Sequence, residues 1–125
     1  MAIKQSDYIE VRHTKKKGRG VFARKLIREG IEFERVPLIT VTWDQIVNSE
    51  LADYVYAWDG GDTVVALGYG SLYNHSYKPN ARYEDLSNNM KSFIALRDIK
   101  PGEEILINYN ADPDDLEDVG FEVHD

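Results

Sequence analysis

"GYGSLYNHSYKPNARY", residues 68–83, sets four tyrosines, a lone histidine and the pair Asn74–His75 ahead of Pro79–Asn80. His75 beside Ser76 has the composition of a hydrolase base and its nucleophile. Neighbours on an extended chain project to opposite sides, so the two could not easily form the hydrogen bond that activates a serine. The stretch needs another explanation, and the rest of the chain has to supply it.

The 125 residues predict one domain, long enough to bury roughly two-thirds of the surface exposed by the unfolded chain. Hydrophobic residues make up 42% and charged residues 30%, a globular balance, and no apolar run has membrane-spanning length. The amino terminus, "MAIKQSDYIEVRH", lacks the apolar stretch of a secretory signal, so the expected address is cytoplasmic, or a host cell's interior or nucleus for a viral protein. Cysteine is absent, which removes disulfides and thiolate zinc sites together. His13, His75 and His124 are scattered without ligand spacing, so no metal site is expected. The net charge of −7 opposes direct nucleic-acid binding despite the local cluster "KKKGR", and it favours a basic partner.

Outward from the opening stretch, the pattern is one of short strands. Ile9 and Val11 alternate with Glu10 and Arg12, and Ile31 and Phe33 with Glu32 and Glu34, the period of half-buried strands. "TVVAL" (63–67) and "KSFIAL" (91–96) are strand-like, with Ser87, Asn88 and Asn89 as turn material. "KPGEE" orders proline and glycine as a type II turn requires and feeds "ILINY", where Ile105, Ile107 and Tyr109 share a face. From Thr42 the period changes: Trp43, Ile46, Val47, Leu51, Tyr54 and Val55 fall on one helical face behind a Thr42–Gln45 capping box. That spacing predicts a helix. Five of the residues from Asp112 to Asp118 are acidic, which reads as a solvated tail with Phe121 as an isolated apolar residue able to dock. The expectation is a single mostly β domain over 1–125, with its core at about 7–110 and an acidic tail at 111–125.

Three pieces occur in a specific order: "KGRG" at 17–20, "YGSLYNHSYKPN" at 69–80 and "GEEILINY" at 102–109. Glycines around Arg19 allow close backbone approach to a ligand, but in isolation a plain hairpin turn is the better explanation of "KGRG". Taken together and in order, the pieces resemble the SET domain of protein lysine methyltransferases, over about residues 7–110. "NHSYKPN" matches that family's N-H-S-x-x-P-N, and "GEEILINY" its G-E-E-L-x-x-x-Y. In size the chain is similar to the minimal free-standing SET proteins of viruses and bacteria.

The resemblance implies a β-clip fold of several short-stranded sheets with one or two short helices and a knot-like carboxy-terminal threading. It implies S-adenosylmethionine as cofactor, bound by Lys17, Gly18, Arg19 and Gly20 through backbone groups, by Asn74 at the amino-acid end and by the His75 backbone at the adenine. Tyr109 takes the place of the main catalytic tyrosine. Tyr54, with Tyr56 as competitor for the same place, lines both the lysine channel and the cofactor pocket. Tyr83 occupies a channel position that limits the number of methyl groups added, which predicts monomethylation, and Ile107 belongs to the same channel.

The implied chemistry accounts for tyrosines in place of a strong base. A neutral lysine amine attacks a methyl carbon on a sulfonium, so alignment and deprotonation are the tasks. A sulfonium roughly 4 Å from an ammonium, at an effective dielectric of about 20, repels it by about 4 kcal/mol, or about 3 pKa units. Two departures from the family are visible. Ser71 stands where an arginine often opens R-F-x-N-H-S, and the cysteine-rich segment that closes many such sites is missing. The tail, with Phe121 against the adenine edge, is the expected replacement; a second subunit is the alternative. The expected substrate is a basic protein tail of histone or histone-like type. A catalytically silent SET-fold module that binds a partner protein is the competing reading.

Overall fold

The computed structural model describes residues 3–58, 62–121 and 123; His124 lies outside them. Strands β1 (Ile9–His13) and β2 (Arg19–Ala23) form an antiparallel hairpin with Ile9 opposite Ala23 and His13 opposite Arg19. Its connection is a true turn, because the Thr14 N–H donates to the Gly18 carbonyl at 2.6 Å and the Lys17 N–H to Thr14 Oγ1 at 2.7 Å. "KGRG" thus lies at a hairpin turn. β2 passes its other edge to β9 (Glu104–Ile107), pairing Val21 with Ile105. β9 in turn pairs in parallel with β6 (Asn74–His75), the two short segments of the opening motif and the last motif.

The second sheet runs β4 (Val55–Ala57), β5 (Thr63–Ala66), β3 (Glu32–Val41), β8 (Met90–Ala95), β7 (Ala81–Leu86), every pair antiparallel. Asn88 and Asn89 turn β7 into β8 with φ of +65° and +55°, values that asparagine tolerates better than most residues. Before β9 the Glu103 N–H reaches the Lys100 carbonyl at 3.0 Å and Gly102 has φ +88°. This is the type II turn expected from "KPGEE".

Alternating apolar residues of both sheets meet in one core, where Val21, Phe33, Phe93, Ile105 and Ile107 are fully enclosed. Tyr73 joins them, stacked on Phe93 with ring centroids 4.5 Å apart. Its hydroxyl donates at 2.7 Å to the buried carboxylate of Glu34, which also accepts the Tyr69 N–H at 2.9 Å. Burial raises the Glu34 pKa, and those two hydrogen bonds oppose the rise.

The predicted helix is the main structural correction. The Thr42–Gln45 cap forms, with the Thr42 N–H donating to Gln45 Oε1 at 3.2 Å. The helix α1 (Trp43–Ile46) then stops after four residues. Ser49 ends it by turning both its N–H and its hydroxyl onto the Ile46 carbonyl, at 2.8 and 2.7 Å. A 3-10 turn (Glu50–Tyr54) follows, and Val55 is drawn into β4 opposite Val65. Strand pairing overrides the helical period, and of the predicted apolar face only Ile46 is buried, while Trp43, Val47 and Leu51 remain exposed.

Candidate active site

The parallel pairing of β6 with β9 sets Asn74 opposite Leu106 and His75 opposite Ile107. Two residues beyond β9, Tyr109 is fixed by its N–H, which donates to His75 Nδ1 at 2.9 Å. Its hydroxyl donates to the Tyr73 carbonyl at 2.5 Å. The stretch that opened the sequence and the one that ends the fold thus share a hydrogen-bonded corner.

Asn80 holds that corner, a role the sequence did not reveal. Its side-chain amide donates to the Glu104 carbonyl and accepts the Leu106 N–H, both at 2.8 Å. One buried asparagine therefore stands in for a neighbouring strand along β9. Ser76 is buried as well, and its hydroxyl accepts the Lys78 N–H at 2.9 Å, which commits it to a turn.

On one side of Tyr109 is a polar cradle. Lys17 Nζ lies 2.7 Å from Glu104 Oε1. Asn74 Nδ2 donates to Glu104 Oε2 at 2.7 Å and to the Arg19 carbonyl at 3.0 Å. A side chain at Gly20 would push on Glu104 Oε2 and Asn74 Nδ2 together, so a substitution there would displace two members of the cradle. Ammonium, carboxylamide, carboxylate and backbone carbonyl together match the two charged ends of an amino acid. The cradle is thus chemically suited to the methionine portion of S-adenosylmethionine. Glu104 was quoted within "GEEILINY" but carried no expected role, because its partners lie far away in sequence.

On the other side is an aromatic cleft of about 450 Å³ lined by Tyr54, Tyr56, Tyr83, Asp85, Tyr109 and Phe121. Tyr54 bridges the two regions, accepting from Arg19 Nη2 at 3.3 Å. Tyr56 lines the same cleft, but its hydroxyl is committed to the Gly70 carbonyl at 2.6 Å. Tyr83 donates to the Tyr109 carbonyl at 3.2 Å. Burial pushes the phenols of Tyr83 and Tyr109 up to about 12; the carboxylate of Asp85 adds to the first and that of Glu104 to the second. Both are protonated donors at neutral pH. Ile107 does not line the cleft: its alternation places it wholly inside the core.

The described part of the tail is anchored through its backbone while most of its acidic side chains face solvent. Asn108 Nδ2 donates to the Asp115 carbonyl at 2.6 Å and Asn110 Nδ2 to the Glu117 carbonyl at 2.9 Å. Tyr77 donates to the same Glu117 carbonyl at 3.0 Å and accepts the Val119 N–H at 3.2 Å. These bonds deliver Phe121 to the rings of Tyr109 and His75, with centroids 5.9 and 6.1 Å away.

A family model described as "SET domain" matches residues 18–110. A Schizosaccharomyces pombe protein named "Histone-lysine N-methyltransferase, H3 lysine-37 specific" is 37% identical over 106 residues, covering 81% of this chain and 72% of that protein. A crystal structure of a candidate histone methyltransferase from Plasmodium falciparum is 33% identical with a TM-score of 0.68, covering 81% of this chain and 96% of the other.

Proposed function

The chain belongs to the SET domain family and is a protein-lysine N-methyltransferase, and we propose that it methylates a histone-like basic protein with S-adenosylmethionine, mainly to the monomethyl state. The observation that carries this reading is the meeting of polar cradle and aromatic cleft at Tyr109. One region has the chemistry for a zwitterionic ligand and the other has the shape and lining for an alkyl amine.

When bound, S-adenosylmethionine would supply a methyl carbon on a cationic sulfur; a neutral lysine amine would attack that carbon in line, its N–C bond forming as the S–C bond breaks and S-adenosylhomocysteine leaves with the electron pair. Lys17 and Asn74 are the groups for the ligand's carboxylate. Glu104 and the Arg19 carbonyl are those for its ammonium. His75 contributes by its backbone and by holding the Tyr109 N–H, Gly18 by an unobstructed backbone, Gly20 by its close packing under Glu104 and Asn74, and Phe121 by covering the site. Tyr109 orients rather than deprotonates, because a phenol pushed up to about 12 is a poor base at neutral pH. The target lysine loses its proton to water as its ammonium nears the sulfonium, whose charge lowers its pKa. Tyr54 and Tyr109 flank the amine, and the hydroxyl of Tyr83, tied to the Tyr109 carbonyl, crowds out further methyl groups.

Asp53 and Asp85 line the cleft, and acidic residues outnumber basic ones by 22 to 15 over the chain. Both features favour a basic substrate, in keeping with the histone named for the yeast relative. Calorimetric titration with S-adenosylmethionine tests the cradle. Asn74→Ala is expected to weaken binding at least about tenfold, the scale of one hydrogen bond to a charged group. An intact chain that takes up no cofactor, or an Asn74→Ala variant that binds as tightly, would sink the assignment.

A further inference from the structure

Lys91, the second residue of β8, is wholly buried although it carries a charge. Its ammonium lies 4.2 Å from the ring centroid of Tyr56, 4.4 Å from that of Tyr83 and 5.8 Å from that of Trp58. All three are within cation–π range. Across the β7–β8 register it pairs with Asp85, Nζ to Oδ1 at 2.6 Å, and Asp85 itself lines the mouth of the cleft. Tyr56 and Tyr83 are two walls of that cleft and meet edge to face at 5.2 Å. The cation therefore occupies the angle between two channel rings.

Stability alone does not call for a lysine there. Burial opposes the charge and lowers the Lys91 pKa, with Asp85 acting the other way. The Asp85 side chain is half exposed, so water solvates it when its partner is removed. An unbranched apolar side chain of similar length at position 91 removes the desolvation cost of the ammonium and leaves no carboxylate buried without solvent, so it is expected to be about as stable.

We infer that Lys91 is a positioning residue that sets the number of methyl groups added: anchored by Asp85, it fixes the rings of Tyr56 and Tyr83 and so the free width of the channel. The inference rests on the reading of Tyr83 as the residue that limits methylation. The ring of Tyr83 is held on one face by the cation and, beyond it, by Tyr56 and Phe93, with its hydroxyl on the Tyr109 carbonyl. Loss of the cation frees the ring to swing, and the space released lies where a methylated amine must turn to be methylated again.

The test compares the intact chain with Lys91→Met, Asp85→Asn and Tyr83→Phe, on core histones with S-adenosylmethionine, reading mono-, di- and trimethyl-lysine by mass spectrometry. Lys91→Met, with a melting temperature within about 4 °C of wild type, is expected to raise the ratio of di- to monomethyl product at least about fivefold, the scale of a cation–π contact of about 1 kcal/mol. Tyr83→Phe moves it in the same direction. Asp85→Asn, which keeps the cation and a hydrogen-bond acceptor but removes the charge that anchors it, gives a smaller shift and carries the test if Lys91→Met fails to fold. Wild-type product ratios from Lys91→Met, or from Asp85→Asn where it alone folds, together with a shift in Tyr83→Phe, overturn this role for Lys91 and leave that of Tyr83 standing. A wild-type chain that already yields trimethyl-lysine overturns both.

Discussion

Tyr109 receives its backbone position from His75 and its hydroxyl direction from the Tyr73 carbonyl, two contacts that bring together residues more than thirty positions apart. Because burial and Glu104 push its phenol up to about 12, and burial and Asp85 do the same for Tyr83, neither ionises where a free tyrosine would. The sign of the pH effect follows. Raising pH increases the neutral fraction of the target lysine while the tyrosines stay protonated. Methylation rates are therefore expected to rise with pH and then hold, without falling, up to at least about pH 10, near the ordinary tyrosine value; a fall beginning well below that pH, with the fold intact, would assign Tyr109 a lower pKa and a different role. Asn74, His75 and Tyr109 were legible in the sequence because they sit inside ordered motifs. Asn80 and Glu104 sit in the same motifs, yet their partners lie 24 and 30 residues away, and hydrogen bonds at that range leave no local periodicity.

Among elements, hairpins and turns were readable, since alternation, Asn88–Asn89 and Pro101–Gly102 act locally. The stretch after Thr42 was not, because its helical period competes with strand pairing that only the neighbour β5 supplies. Ile107 misled for a related reason: it shares a face with Ile105, and that face is core, whereas Tyr109 has already left the strand. The tail is intermediate. Its acidity was plain, but its attachment depends on Tyr77, Asn108 and Asn110, which are polar residues of no periodic pattern. Removal of residues 111–125 is expected to leave the β-sheet circular dichroism unchanged and to weaken S-adenosylmethionine at least about fivefold through loss of the Phe121 cover. Unchanged affinity in calorimetry would show that the tail does not close the site.

For the molecule as a whole, two sheets bury one core and leave cradle and cleft on either side of a single corner, joined by Tyr54 and Tyr109. Nothing in the amino-acid order shows this directly; it arises when β6 and β9, separated by the β7–β8 hairpin, pair in parallel. The opening stretch reads accordingly: Asn74 faces the cradle, His75 fixes Tyr109, and Asn80 locks β9 in place. The central claim is that Tyr109 serves methyl transfer at that corner. Transfer of labelled methyl from S-adenosylmethionine to core histones, by the intact chain and by Tyr109→Phe at matched cofactor saturation, tests it most directly. The predicted result is robust labelling by the intact chain and a loss of about a hundredfold or more in the variant, the scale of one oriented active-site donor. Equal labelling by the two proteins would contradict it.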